Sequence, residues 1–261
     1  MTQLNDLYRY AVYYDIIFRR DVEHEVDFLI DACRRYRGRA PAVVLDIGCG
    51  PGYHARSFAR RGGIATIGLD RSPEMLRLAR EEAEREGVPV DWRVGDMREF
   101  RLEAPVDLAF SLFDSIDGLT SIDDFVAHFR AVAANLARDG LYVIGQSHQR
   151  DTSIVDYGPF HYEGERDGCK VTLDWATDVR TDTLTQTADV EIVIRVDDNG
   201  APSVMRHRTV ESFATPLFLI AVARLSGALE AFAWHGDYRL DRPYDDSPAS
   251  AHCITLLRRT S

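Results

Sequence analysis

The chain has 261 residues, enough for one α/β domain or for a core domain with a sizeable insertion, and enough to bury a core without disulfides or metals. The net charge is −11, and no basic face that would track phosphates is evident, which argues against a nucleic-acid partner. The basic residues are almost all arginine, Lys170 being the only lysine. The four cysteines (Cys33, Cys49, Cys169, Cys253) are scattered with no Cys-x-x-Cys pair, as in a reduced chain with neither a disulfide framework nor a zinc site.

In chain order, the opening MTQLNDLYRY has no apolar signal region, and no apolar run approaches ~18 residues. A soluble, cytoplasmic protein with no membrane partner is therefore expected. Residues 1–20 carry an aromatic cluster, Tyr8, Tyr10, Tyr13, Tyr14 and Phe18. Residues 21–37 read as a helix, with Val22, Val26, Leu29, Ile30 and Cys33 at helical spacing. Strands are expected at 43–47, 64–69, 90–94, 106–111 and 141–144, with helices starting at His54, at Ser72-Pro73 and at Ser121. Ser72 is an N-cap with proline at the first helical position, and Gly87 closes that helix. The helix from Ser121 is expected to run through Ala137, followed by a turn at Asp139-Gly140. This alternation means βαβ units and a parallel sheet. From about 147 to 213 the pattern changes to polar-alternating stretches rich in Thr and Val at 171–175, 184–196 and 204–213, with a turn at 197–200. They read as a small antiparallel sheet inserted after strand five. Thr215-Pro216 starts a last helix ending at Gly227, and 231–235 and 252–257 are two closing strands. The expected organisation is thus a core over 1–146, an insertion over 147–213 and a return to the core over 214–261.

The stretch VVLDIGCGPGYHARSFARRGGIATIGLD, residues 43–70, carries the strongest chemistry. A strand ends in Asp46, and Gly48, Gly50 and Gly52 follow within five residues. Such a turn after a parallel strand lets a ligand reach backbone N–H groups at the start of a helix. A Walker A loop is excluded, because Tyr53-His54 follows Gly52 where Lys-Ser/Thr is needed. A dinucleotide fingerprint counted from Gly50 passes, ending at Ala55, but it must explain Asp46, which would repel a pyrophosphate and welcome a cation or an amine.

LDIGCGPG resembles the first motif of class I S-adenosylmethionine (SAM)-dependent methyltransferases, and the resemblance extends over residues 43–145. It implies a Rossmann-like α/β sheet with helices on both faces and SAM as cofactor, with no metal. In that family the glycine turn wraps the methionine part of SAM, and the acid at Asp46 sits near its amino group. Asp70, with Arg71 beside it, stands where the ribose acid belongs. Gly95-Asp96-Met97 stands where the adenine amine and ring nitrogen are met. The run Ser111-Leu112-Phe113-Asp114-Ser115-Ile116 faces the transferred methyl, with Leu112 toward cofactor and Phe113 and Asp114 toward substrate. Taken singly, Asp70 reads equally well as a neighbour of a helix cap, Asp96 as a turn residue and Cys49 as a small filler.

Tyr14-Asp15-Ile16-Ile17-Phe18, Gly95-Asp96-Met97-Arg98 with Phe100, and the insertion resemble a subgroup. It includes aminosugar N,N-dimethyltransferases and relatives of glycine N-methyltransferase, in which the insertion covers the active site. That implies a small-molecule acceptor, an amine nitrogen ahead of a hydroxyl oxygen, with Tyr14 reaching the cofactor and Tyr8 and Tyr13 as lid residues. Each of these aromatics reads equally as packing of the first helix. Dimers are common in the subgroup, so a homodimer is compatible. Gly118 stands where the aminosugar enzymes are expected to have a polar residue, often histidine, which shifts attention to Asp114 and Asp117. An alkyl amine is protonated at neutral pH, so a base is needed, and Asp117 and His148 are the candidates. His148 reads also as a solvated loop histidine, and His54 as structural. In the insertion, Trp175, Arg206 and His207 are candidates for the substrate face. Arg206 and Arg208 share one face opposite His207, where they either orient a substrate carboxylate or pair with acids on a neighbouring strand.

Overall fold

The structure, a computed structural model, describes residues 10–147, 160–175, 180–182, 184–245, 247, 250 and 252–260. Contacts divide the chain into two compact units. One joins Met1–Arg20 to Gln149–Phe213, and the other joins Asp21–His148 to Ala214–Ser261.

The larger unit is built on a seven-stranded sheet. Its strands are β1 (Val43–Ile47), β2 (Ala65–Asp70), β3 (Asp91–Val94), β4 (Val106–Ser111), β5 (Leu136–Ser147), β11 (Leu229–Gly236) and β12 (His252–Arg259), in the order β11-β12-β5-β4-β1-β2-β3. β1 to β5 are mutually parallel, and β12 runs antiparallel to both β5 and β11. The chain leaves β1 toward β2 on one side and returns to β4 on the other, which puts the switch point of the sheet at the carboxyl ends of β1 and β4.

Alternation along β1 decides which side chain faces which layer. Leu45 and Ile47 join a core with α5 (Ile122–Asn135) and α6 (Pro216–Ser226). Val44 joins the opposite core with α2 (Glu23–Arg37) and α3 (Tyr53–Arg60). Asp46 shares the face of Val44 and is buried there.

The caps expected from sequence form. The Ser72 hydroxyl accepts the Met75 N–H at 3.2 Å at the start of α4 (Pro73–Glu86), and Gly87 ends it in the left-handed conformation. Ser121 and Thr215 cap α5 and α6 in the same way, and Gly227 closes α6. One boundary differs. The helix from Ser121 stops at Asn135, and Leu136 is already extended and paired with Val106. Leu108 then pairs with Leu141, so the extra residues of Ala137–Gly140 are taken up as an irregularity inside β5. Asp139-Gly140 is therefore not a turn between helix and strand.

The smaller unit carries α1 (Ala11–Phe18) and the strands β6 (Phe160–Arg166), β7 (Cys169–Trp175), β8 (Arg180–Asp182), β9 (Thr187–Asp198) and β10 (Ala201–Ser212), paired β10-β9-β7-β6 with β8 on β9. All pairings are antiparallel. Asn199-Gly200 makes the expected turn with φ of 52° and 86°, the signature of a two-residue hairpin. Asp167-Gly168 does the same between β6 and β7, with φ of 53° and 77°. Val171, Leu173, Val190, Ile192, Ile194 and Val196 bury one face with Phe18, Tyr13 and Tyr14. Asp15 is fully buried on α1 and neutralised by Arg19 at 2.7 Å and Arg166 at 2.5 Å.

The indole of Trp92 on β3 lies across Gly68 on β2 and Gly52 in the glycine turn. A Cβ at Gly68 would stand 2.5 Å from the ring, and one at Gly52 would stand 2.2 Å from it. Gly68→Ala is expected to cost about 1–3 kcal/mol by overpacking. In urea titration the added substitution Trp92→Leu should recover part of that loss, because the two changes share one space.

Candidate functional site at the carboxyl edge of the larger sheet

The glycine turn joins β1 to α3, and its glycines have separate reasons. Gly48, at φ 72°, backs onto Ser115, whose Cβ would lie 2.9 Å from an added methyl. Gly52, at φ 76°, makes room for Trp92. Only at Gly50, at φ 52°, does an added Cβ meet nothing within 4 Å, so this residue faces open space.

The amides of the turn are already spent. Gly48 and Cys49 both donate to the Leu69 carbonyl, at 2.8 and 3.1 Å, and Gly52 donates to Cys49 at 2.9 Å. Gly50 donates to Asp70 Oδ2 at 2.8 Å, while Asp70 Oδ1 accepts from Ser72 N–H at 2.8 Å. Position 51 is proline and has no donor. Within residues 48–52 every N–H is thus taken, and an N–H for a ligand would have to come from the first turn of α3. The protein's own oxygens take the donors of 48–52, and the turn is no cradle for phosphate.

Beneath the turn, Asp46 is 3 % exposed, and its Oδ2 has no hydrogen-bond partner among the described residues. Burial, helped by repulsion from Asp70, pushes this carboxyl up to about 7 against the attraction of His54 and a hydrogen bond from the Ala55 amide. Burial also raises Asp70, against its hydrogen bonds from Ser72 and Gly50. His54, on the first turn of α3, hydrogen-bonds Glu25 of α2 through Nε2, and its ring lies 6.1 Å from that of Phe110. Two desolvated carboxylates beside a turn with no donors to spare make a site that accepts positive charge.

Asp96 follows β3 and is held by Arg98, which reaches Oδ2 through Nη2 at 2.7 Å and Oδ1 through Nε at 3.0 Å. Arg98 also binds Asp124 on α5 at 2.7 Å, and it holds the Asp96 carboxyl below its ordinary range. The Met97 carbonyl accepts from His128 Nδ1 at 2.8 Å. Burial lowers His128 to about 4, so the ring is neutral, and Nδ1 carries its proton. Nε2 then accepts from Tyr142 OH at 2.6 Å, and Tyr142 in turn accepts from Ser111, 3.0 Å away. This buried chain ties the loop after β3 to the end of β4.

Past β4 the backbone is left-handed at two consecutive residues, Phe113 (φ 54°) and Asp114 (φ 57°). Such residues are held against their preference and gather at functional sites. Asp114 is fixed by Ser147 at the end of β5, whose N–H and hydroxyl each donate to it at 2.7 Å. Phe113 stays 43 % exposed. Leu112 is buried in the core, and its carbonyl accepts from the Ser115 hydroxyl at 2.7 Å. Asp117 lies in the 3-10 turn Ser115–Gly118. Arg71 is exposed beside Asp70.

In the smaller unit, Tyr14 packs on Phe18 with ring centroids 4.6 Å apart. Trp175 donates through Nε1 to Glu211 at 3.2 Å. Arg206 and Arg208 both pair with Glu191 on β9, at 3.6 and 3.2 Å, the second of the two readings their alternation allowed. His207 is half-buried on the other face of β10. Tyr8 and His148 lie outside the described residues.

Two residues of this edge escape a reading of motifs. His252 opens β12 opposite Ser147, and Asp237 follows β11 and hydrogen-bonds His252. Only the order of the closing strands brings them to the site. Among the described residues no group of three or more His, Cys, Asp or Glu is placed to hold a metal.

The family described as methyltransferase domain matches residues 44–140. Residues 44–140 are thus similar to a methyltransferase domain. A ubiquinone biosynthesis O-methyltransferase of Xanthomonas euvesicatoria is 36 % identical to this domain over 101 residues, 39 % of this chain and 41 % of the relative. The dTDP-3-amino-3,6-dideoxy-α-D-glucopyranose N,N-dimethyltransferase of Streptomyces fradiae is 31 % identical over 137 residues, 51 % of each chain. The chain thus spans about half the length, or less, of these curated relatives. The crystal structure of an S-adenosylmethionine-dependent methyltransferase from Clostridium acetobutylicum matches 98 % of this chain and 100 % of its own, with a TM-score of 0.77 at 17 % identity. The fold is therefore that of SAM-dependent methyltransferases beyond the domain itself. No described helix is long and apolar enough to cross a membrane.

The Asp46 carboxyl fixes a pH dependence of the larger unit without ligand. Its folded value of about 7 lies above the ordinary 3.8, so the folded state binds the extra proton. Stability should fall as pH rises from about 4 to about 7 and then level off. Asp46→Asn should flatten that slope and raise stability at pH 8 by about 1–3 kcal/mol, read from urea midpoints across a pH series.

Proposed function

We propose that this protein is a SAM-dependent methyltransferase acting on a small molecule, with an amine nitrogen as acceptor. The observation that carries the reading is the orphaned Asp46 Oδ2 under a turn whose amides are spent. That donor set suits a ligand with a positive amino group and a sulfonium, and it opposes the pyrophosphate of a dinucleotide. A nicotinamide or flavin oxidoreductase is disfavoured on the same ground.

The site residues fit SAM chemically. Asp46 would balance its ammonium. Asp70, with one amide on each oxygen, keeps lone pairs for the ribose hydroxyls. Asp96, oriented by Arg98, and Met97, anchored by His128, would meet the adenine edge. Bound there, SAM supplies a methyl group already activated on sulfur for in-line displacement. The chain's work is to align the acceptor, exclude water and manage its proton, and alignment alone is worth roughly 7–11 kcal/mol. Phe113 offers an apolar contact, and the fixed Asp114 offers a negative one, at the end of β4. A carboxylate there favours a cationic amine over a neutral hydroxyl. Both nitrogen- and oxygen-methylating relatives are known for the domain. Tyr14 closing the cofactor site and Trp175 and His207 contacting the acceptor belong to the same proposal. So do a cytoplasmic setting and a small-molecule partner without nucleic acid.

Calorimetry with SAM and S-adenosylhomocysteine tests the reading. Both should bind, and NADH should not change its fluorescence on titration. Asp46→Asn should weaken SAM about 10–100-fold at pH 8. Because a bound cation drives the proton off Asp46, wild-type affinity should rise with pH up to about 7, and the variant's should not. Absence of SAM binding at high concentration ends the proposal.

A further inference from the structure

The carboxyl edge holds a titratable pair outside the methyltransferase motifs. His252 is the first residue of β12 and pairs across the ladder with Ser147, the residue that clamps Asp114. Residues so opposed lie about 4.5–5.5 Å apart at Cα. His252 therefore stands beside Asp114, the neighbour in sequence of the exposed Phe113, although 137 residues lie between 114 and 252.

Asp237, just past β11, orients it. Asp237 Oδ1 accepts the His252 backbone N–H at 2.9 Å and faces His252 Nδ1 at 3.2 Å. A carboxylate only accepts, so Nδ1 carries the proton, and the lone pair of the neutral ring sits on Nε2. Arg242 Nη1 lies 3.3 Å from Asp237 Oδ2, so the carboxylate is held from both sides. Among the described residues, Nε2 makes no hydrogen bond, and the side chain is 45 % exposed. Among the described residues, Tyr238, with ring centroids 5.7 Å apart, and Asp114 are the other titratable groups beside the ring. An aspartate-oriented, half-exposed imidazole whose Nε2 makes no hydrogen bond among the described residues, next to an acidic, aromatic rim, has the geometry of a general base.

We propose that His252, positioned by Asp237, is the general base that deprotonates the acceptor amine. The inference rests on the methyltransferase reading above. In the step, the N–H bond of the substrate ammonium breaks, and its proton goes to His252 Nε2. The lone pair left on nitrogen bonds to the methyl carbon of SAM, and the S–CH3 electron pair stays on sulfur, giving S-adenosylhomocysteine. Asp114 attracts the ammonium, and Asp237 stabilises the imidazolium that forms.

The test uses the full chain with methyl-labelled SAM and a pool of primary amines that includes dTDP-3-amino-3,6-dideoxy-α-D-glucopyranose. At pH 7, His252→Gln should lower kcat about 100-fold with KM for the amine changed less than threefold. Its rate should climb about tenfold per pH unit toward pH 9, as solvent supplies the free amine, while the wild type climbs less. Asp237→Asn keeps the imidazole but loses its orientation, and it should cost about tenfold in kcat with the same alkaline relief. It is also the second variant should His252→Gln not fold. Both should bind S-adenosylhomocysteine within twofold of wild type. Full kcat in both variants at pH 7, a loss not relieved at pH 9, or a wild type that binds S-adenosylhomocysteine yet methylates no amine of the pool overturns the base assignment and leaves the cofactor site standing. A wild type that binds neither SAM nor its product overturns the methyltransferase reading itself.

Discussion

A carboxylate held in a dry place with one oxygen unmatched governs the rest of this molecule. Asp46 sits on the inner face of β1, where alternation forces it into the layer beneath α3. Water cannot reach it, and the Ala55 amide and His54 offset only part of its desolvation. The turn above cannot help, because Leu69 and Asp70 have taken its amides. The fold thus stores an unfavourable electrostatic state that a cation relieves. Binding energy is drawn from a debt already present in the ligand-free protein.

The surrounding scaffold keeps that state from relaxing. Trp92 closes the space over Gly52 and Gly68, and Ser115 backs Gly48, so the turn has little room to swing an amide toward Asp46. The His128–Tyr142–Ser111 chain fixes the loop after β3 from behind, and its neutral imidazole sets the direction of every proton in it. At the rim, two left-handed residues and a doubly bonded Asp114 give the end of β4 one conformation. These networks share a logic: each polar group near the site is satisfied from the protein side, and what is left over points at the ligand.

Much of this was legible in the sequence. The Ser-Pro and Thr-Pro helix starts, the glycine stops and the apolar runs reflect local rules that tertiary structure did not override. Asp46, Asp70 and Asp96 could be placed because each stands at or just past the carboxyl end of a strand, and strand ends in a parallel sheet share one edge. Use of the turn's amides could not be foreseen, because the Leu69 carbonyl that takes two of them lies on another strand and has no side-chain signature. Leu136 reads as helix by spacing, yet pairing with Val106 claims it for the sheet. Residues 160–166 carry no clean alternation and become a strand through the Asp167-Gly168 hairpin that pairs them with β7. Asp237 and His252 look like unrelated loop residues until the antiparallel β12 is laid beside β5. What the chain hides are contacts made by backbone or by late strands.

Among the described residues β3 is the outermost strand on its side of the sheet, with β2 as its one neighbouring strand. Outermost strands fray first, and here the fraying element carries the indole that braces the glycine turn. Each transient peeling of the margin therefore loosens the cofactor loop from behind. A ligand that stiffens the loop must in turn slow amide exchange along residues 91–94, at the far border of the sheet.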